Sequence, residues 1–244
     1  MKKNSLLEIA KEAALEALDS LELNNDKELI SNYDEDLIRE MKSEIDVINN
    51  EIILSKLKKT DIPILSEESP ADVDYEDYFW IVDPLDGTVN YVRKIASCAI
   101  SIALFKNRKP IFGVIAEYPG KNLYWGGKEF GAFKNKVPVK VSKISNKKEA
   151  ILCTGFPARY NFDELDDIQL FREYAKIRML GSAAISLVNL AKGSVDCYLE
   201  KNIMIWDIAA GMALLEGAGG DYKIQNLEFL SPVNLIAHNG ILII

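Results

Sequence analysis

Residues 79–90, FWIVDPLDGTVN, decide how the rest of the chain is read. Phe79 to Val82 form an unbroken run of strand-forming apolar residues, and Asp83 closes it. Pro84 cannot donate to a strand ladder, so Asp83 and Asp86 cannot both stay on a regular strand. The backbone must turn there, and the turn brings two carboxylates to one point. Asp86, Gly87 and Thr88 then read as the start of a helix or turn, where free backbone N–H groups favour an anion such as phosphate. An Asp-rich turn without function fits this segment equally well, so the choice rests on its neighbours.

Upstream, ILSEES (64–69) sets Glu67 and Glu68 at the end of another short apolar strand. Downstream, IMIWDIAAG (203–211) sets Asp207 at the cap of an apolar helix. Taken singly, Glu67 is explained as a solvated strand end and Asp207 as an N-cap. Taken together, grouped carboxylates require a compensating cation, because like charges held close and away from water are costly.

Residues 5–18 (Leu6, Ile9, Ala13, Leu15, Leu18) and 35–59 (Leu37, Met41, Ile45, Ile48, Ile52, Leu57) repeat apolar side chains at helical spacing. The polar segment at 23–35 between them reads as a surface connection. From Ile62 to Ser142, short β-branched and aromatic runs broken by Gly, Pro and Asn predict a sheet, with 97–105 and 111–118 as an antiparallel hairpin. Beyond Ser142 the segments alternate. ILCTGF, KIRML, VDCYLE and a terminal LIAHNGILII read as strands. An acidic stretch around 163–175, GSAAISLVNLAKGS and WDIAAGMALLEGAGG read as helices. The expectation is a layered α+β chain with mixed and antiparallel sheets, in two lobes, 1–142 and 143–244, that share an interface.

The 244 residues are 48% hydrophobic, enough for a substantial core. With 29 basic against 37 acidic residues the net charge is −8, which argues against a nucleic-acid partner. The N-terminal MKKNSLLEIAKEAALEALDS is charged at helical intervals, unlike a secretory signal. No apolar run is long enough to cross a bilayer, so a cytoplasmic location without membrane contact is expected. Cys98, Cys153 and Cys197 match no zinc spacing and read as buried thiols, with a disulfide between two of them left open. His238, the single histidine, lies in a terminal apolar stretch and reads as structural, which removes histidine-based nucleophilic chemistry.

In this order, LSEES (65–69), WIVDPLDGTVNYV (80–92), MLGSAA (179–184) and WDIAAG (206–211) resemble the signature segments of the inositol monophosphatase superfamily, over roughly Leu6 to Asn239. The compact, lysine- and isoleucine-rich chain is most similar to archaeal members that act on both fructose 1,6-bisphosphate and inositol phosphate. The resemblance implies an αβαβα sandwich of the sugar-phosphatase type and Mg²⁺-dependent hydrolysis of small phosphomonoesters with no covalent intermediate. It implies that Glu67, Asp83 and the main-chain carbonyl of Leu85 hold one Mg²⁺, and that Asp83, Asp86 and Asp207 hold a second. Mn²⁺ is the expected substitute, and a third cation is left open. Hard oxygen ligands suit such ions without His or Cys.

By the same resemblance, Glu67, Thr88 and Asp46 orient the attacking water. The cations neutralise the phosphate, lower the pKa of the water and stabilise the departing alkoxide. Asp46 has a second explanation as an exposed helix acid, because REMKSEID (39–46) stands where the family shows a threonine-rich run. Glu68 points away from Glu67 on a strand and is assigned a supporting or distal-metal role. Asp86, Gly87 and Thr88 are expected at the phosphate, and Gly181, Ser182, Ala183 and Glu200 at substrate hydroxyls. Arg159, Tyr160 and Arg178 lie near strand ends and could receive a second phosphate, with surface ion pairs as the alternative for the arginines. The chain stops at ILII, without the terminal helix of many relatives. Two other functions compete: a 3′-phosphoadenosine-type nucleotidase using the same acids, and a non-catalytic regulator that senses a phosphorylated metabolite. The expected partners are a small phosphorylated sugar or cyclitol and a second copy of the chain as a homodimer.

Overall fold

The computed structural model describes residues 2–24, 35–71, 73–156, 171–225 and 227–243. Arg159 and Tyr160, most of the acidic stretch at 163–175 and most of the polar connection at 23–35 lie outside the described residues.

β2 (Phe79–Asp86) is buried at every position, because both faces of its sheet are covered. Phe79 and Ile81 face one core, while Trp80 and Val82 face another. The sheet has seven strands in chain order: β1 (Ile64–Ser66), β2, β3 (Cys98–Lys106), β4 (Lys109–Tyr118), β5 (Asn122–Gly127), β6 (Gly131–Lys134) and β7 (Val137–Pro138). β1 and β2 pair in parallel and the remaining neighbours are antiparallel. The expected hairpin is β3–β4, turned by Asn107 and Arg108, both at positive φ (50° and 59°), as a two-residue turn with the twist of its strands requires.

Helices α1 (Lys3–Leu23) and α2 (Glu35–Leu57) cover one face of this sheet. Ala10, Ala13, Ala14 and Ala17 are fully buried, so small side chains line the face by which α1 lies against its neighbours. The short α3 (Thr88–Val92) follows β2. The other face packs on α4 (Ala183–Ala191) and α5 (Ile205–Ala218). α5 is apolar around nearly its whole circumference because it lies between two sheets. Gly113 marks its closest approach: a Cβ there would meet the Ala210 carbonyl oxygen at 2.2 Å.

The second sheet has the order β11 (Asp221–Gln225), β12 (Val233–His238), β10 (Cys197–Ile203), β8 (Ile151–Thr154) and β9 (Lys176–Arg178). β8 runs parallel to β9 and β10, and β12 antiparallel to β10 and β11. Helix pair, sheet, helix pair and sheet thus stack in turn as an α+β sandwich. Beyond the second sheet Leu152, Cys197 and Leu199 pack with Tyr174 and Leu242.

Several local expectations change. The terminal strand stops at His238, because the chain turns at Gly240 (φ 78°) and Leu242 folds back into the core. β11, from DYKIQ, is an unanticipated edge strand. β10 runs beyond Glu200 to Ile203. All three cysteines are free and buried. Cys197 pairs in register with Leu152 and Cys153 with Tyr198, so these two thiols point to opposite faces of one sheet, and Cys98 belongs to the other sheet. No disulfide geometry exists among them. His238 Nδ1 accepts the Gly240 N–H at 3.1 Å, a structural contact. Among the described residues no helix is long and apolar enough to cross a membrane.

Candidate active site

Three elements bring the acids to one point. β1 and β2 run parallel with Ser66 opposite Val82, and the Glu67 N–H continues the ladder to the Val82 carbonyl at 3.1 Å. Glu67 therefore comes level with Asp83. Asp207 enters from the first turn of α5, at the third helical position instead of the expected N-cap, where its Oδ2 accepts the Met204 N–H at 3.2 Å. That turn is anchored by Ser101, which pairs with Asp83 across β2–β3 and donates to the Trp206 carbonyl at 3.2 Å. One ligand oxygen from each of Glu67, Asp83 and Asp207 lies within 4.8 Å of the others.

β2 does not end at Asp83 but bulges, with the register shifting between Asp83 and Asp86. The Leu85 N–H folds back to Asp83 Oδ1 at 2.9 Å, while Asp83 Oδ2 is buried with no hydrogen-bond partner. Burial first, then the charges of Glu67, Asp86 and Asp207, pushes the Asp83 carboxyl well above the ordinary carboxylate range. Asp207 is raised in the same way, by burial and then by Asp86 and Glu67. A buried orphan oxygen among repelling carboxylates is what a divalent cation relieves. The donor set is all oxygen, so it fits a hard ion of the Mg²⁺, Mn²⁺ or Ca²⁺ type.

Asp86 stands beside this trio. Its Oδ2 accepts Ser182 Oγ–H at 2.6 Å and the Ala184 N–H at 2.7 Å. Burial raises its carboxyl to about 7 against the lowering effect of those two donors. Ser182, expected at substrate, thus also fastens Asp86 and caps α4 by accepting the Ile185 N–H at 3.1 Å. Gly87 begins α3 at φ 84°, and a Cβ there would meet the Ser97 carbonyl at 2.9 Å, so only glycine fits. Thr88 Oγ1 lies 2.9 Å from the Leu85 carbonyl and 3.3 Å from Asp46 Oδ1. Asp46 is 6% exposed, which overturns its explanation as an exposed helix acid. Asn49 and Asn50, one turn on, reach the Pro84 carbonyl (3.5 Å) and Ser66 Oγ (2.7 Å) and dock α2 against the β1–β2 ends.

These groups surround a cleft of about 390 Å³ lined by Glu67, Asp83, Leu85, Asp86, Gly87 and Thr88 from the first half of the chain. Gly181, Ser182, Ala183, Glu200 and Asp207 from the second half complete its lining. Thr154, Gly155, Phe156 and Met179 also line it, and sequence reasoning missed them; Gly155, directly after a strand, was the available signal. Two expectations fall outside the cleft. Arg178 sits exposed at the end of the edge strand β9 with its guanidinium donating to the Ile177 carbonyl at 2.9 Å, and does not line the cleft. Glu68 is exposed and does not line the cleft.

The chain matches the model of the inositol monophosphatase family over residues 2–239. It is 34% identical over 229 residues to the fructose-1,6-bisphosphatase/inositol-1-monophosphatase of Aquifex aeolicus, covering 91% of this chain and 87% of the relative. It is also 34% identical over 190 residues to the Nus factor SuhB of Xylella fastidiosa, covering 74% and 69%. The solved inositol monophosphatase of Anabaena superposes with a TM-score of 0.84 at 30% identity, covering 98% of this chain and 92% of that one. A carboxylate trio at the joined ends of β1, β2 and α5, in a fold shared across nearly the whole chain, makes this protein a member of the inositol monophosphatase family.

Proposed function

We propose that the protein is a Mg²⁺-dependent phosphatase of small sugar or cyclitol phosphates, with fructose 1,6-bisphosphate and inositol 1-phosphate as its leading substrates. The observation that carries this reading is the clustering of Glu67, Asp83 and Asp207 on the wall of one cleft, with Asp83 Oδ2 buried and unpartnered. The names of relatives such as the Aquifex enzyme support the substrate class.

Glu67, Asp83, Asp86, Asp207 and the Leu85 carbonyl would hold the cations. When bound, these supply positive charge to the phosphate, a lowered pKa for the attacking water and stabilisation of the leaving oxygen. The chain's own part is positioning. Thr88 has one hydroxyl proton to give, shared between the Leu85 carbonyl at 2.9 Å and Asp46 Oδ1 at 3.3 Å, which leaves its lone pairs free to accept from a water in the cleft. Glu67 and Thr88 both line the cleft and would hold the attacking water between them, with Asp46 fixing Thr88 from behind. Gly87 and Thr88 at the start of α3 would receive phosphate oxygens. Gly181 to Ala183 and Glu200 would meet the alcohol part of the ester. Residues 1–142 supply Glu67, Asp83, Asp86 and Thr88, and residues 143–244 supply Glu200 and Asp207, so neither lobe holds the site alone.

A second reading, a regulator without hydrolysis, draws support from similarity to proteins named Nus factor SuhB. A nucleotidase reading shares the acids and differs only in the alcohol. Phosphate release is measured from inositol 1-phosphate, fructose 1,6-bisphosphate and 3′-phosphoadenosine nucleotides, with Mg²⁺ or EDTA, for wild type and Asp86→Asn. Mg²⁺-dependent release from the first two, falling at least about 100-fold in the variant, is expected. No release from any of the panel would favour the regulator.

A further inference from the structure

Glu200 is the acid of the cleft farthest in role from the metal trio, and the protein invests two further residues in its side chain. Tyr198 and Glu200 are two apart on β10, so both point to the same face, toward the core between the sheets. Tyr198 is fully buried, and its hydroxyl donates to Glu200 Oε2 at 2.6 Å. β10 is irregular immediately afterwards: its register on β12 shifts between Glu200 and Ile203, and Asn202 has φ 57°. Such a bulge ends regular pairing and re-aims the side chains beside it. On the neighbouring strand, Thr154 pairs with Leu199 and donates to its carbonyl at 2.7 Å, which sets Gly155 beside Glu200. A Cβ on Gly155 would lie 2.2 Å from Glu200 Oε2 and 2.6 Å from Oε1. The carboxylate therefore occupies the volume that any other residue at 155 would fill.

We propose that Tyr198 is a specificity-determining positioning residue. Its hydroxyl engages one oxygen of Glu200 and holds the carboxylate so that the other oxygen can accept a hydroxyl of a polyhydroxylated phosphate ester, in space that Gly155 keeps open. The inference rests on the reading of Glu200 as a contact to the alcohol part of the substrate. A carboxylate fixed by one donor presents a preformed acceptor, whereas a free glutamate must be ordered when substrate binds. The phosphate end and the trio of Glu67, Asp83 and Asp207 do not depend on this contact. Tyr198 therefore acts on which alcohols are accepted and leaves the cleavage step unchanged.

The test compares two esters of one phosphate chemistry. One is the better substrate among inositol 1-phosphate and fructose 1,6-bisphosphate; the other is p-nitrophenyl phosphate, whose ring carries no hydroxyls. Tyr198→Phe keeps the packing and removes only the donor. It should raise KM for the polyol ester about tenfold, the size expected for one hydrogen bond to a charged group, with kcat within about twofold. Both constants for p-nitrophenyl phosphate should be unchanged. Gly155→Ala, which displaces the mobile end of Glu200 and not a backbone, should give the same split by a route that leaves Tyr198 intact. Glu200→Ala separates the two levels of the argument. If it discriminates between the esters while Tyr198→Phe behaves as wild type, the positioning role is wrong and the reading of Glu200 stands. If Glu200→Ala affects both esters equally, or neither polyol ester is hydrolysed at all, the reading of the substrate falls and takes the inference with it. Equal losses on both esters in Tyr198→Phe would mean general disturbance of the cleft and would also overturn the proposal.

Discussion

Replacing Asp83 by Asn should have opposite consequences with and without metal. Asparagine keeps the Oδ1 acceptor for the Leu85 N–H, a 2.9 Å contact, and puts an uncharged amide where Asp83 now buries an unpartnered Oδ2. With ligand oxygens within 4.8 Å, two ionised carboxylates repel by about 3 kcal/mol at an effective dielectric constant of ~20. The metal-free protein escapes part of that by taking up a proton, which costs about 1.4 kcal/mol for each unit by which the pH exceeds the pKa of the group. The net relief at pH 8 is then at most about 3 kcal/mol, or up to roughly 10 °C in Tm for a chain of this size. Thermal unfolding followed by circular dichroism in EDTA at pH 8 should place Asp83→Asn above wild type. In Mg²⁺ the wild type should rise and the variant should stay nearly flat, because the carboxylate that would hold the cation has lost its charge. A variant that melts below wild type in EDTA, or that gains as many degrees from Mg²⁺, would refute the reasoning.

Stability in EDTA should depend on pH in a defined direction. Asp86 is raised from 3.8 to about 7, chiefly by burial, so its contribution is complete below 3.8 and is lost as pH climbs to about 7; Asp83 and Asp207 shift in the same direction. Urea midpoints should fall between about pH 5 and pH 8, less steeply for Asp86→Asn and in Mg²⁺, and a midpoint rising equally in all three would count against this. Thr88→Val, which keeps the shape of the side chain and loses its contacts to Leu85 and Asp46, should lower kcat about 10²–10⁴-fold with KM little changed; a kcat within threefold of wild type would remove Thr88 from the water-holding role.

The strand FWIV and the turn DPLDGT were legible because burial on both faces writes itself as an unbroken apolar run, and a proline between acids writes itself as a break. Glu67 and Asp207 taken singly read as a solvated strand end and an N-cap, and only the order of the motifs, as the resemblance has it, joined them to Asp83. β11 escaped notice because its residues alternate only between half-buried and exposed, as a short edge strand does. Asp46 could be suspected but not placed, since its burial depends on how Asn49 and Asn50 dock α2 against the sheet. Ser182 and Asp86 are 96 residues apart, and nothing local reveals that one holds the other. For Arg178 both readings stayed open, because a basic residue at a strand end looks the same in sequence whether it serves the cleft or solvent, and the structure shows it exposed. Tyr198 reads as one more core aromatic until its hydroxyl is seen on Glu200.

The central claim is that Glu67, Asp83 and Asp207 form a cation site. Its most direct test is anomalous diffraction from crystals of the protein soaked in Mn²⁺. A peak enclosed by those three carboxylates, lost in Asp83→Asn crystals, is the predicted result. A fully soaked crystal with no peak among them would contradict the account.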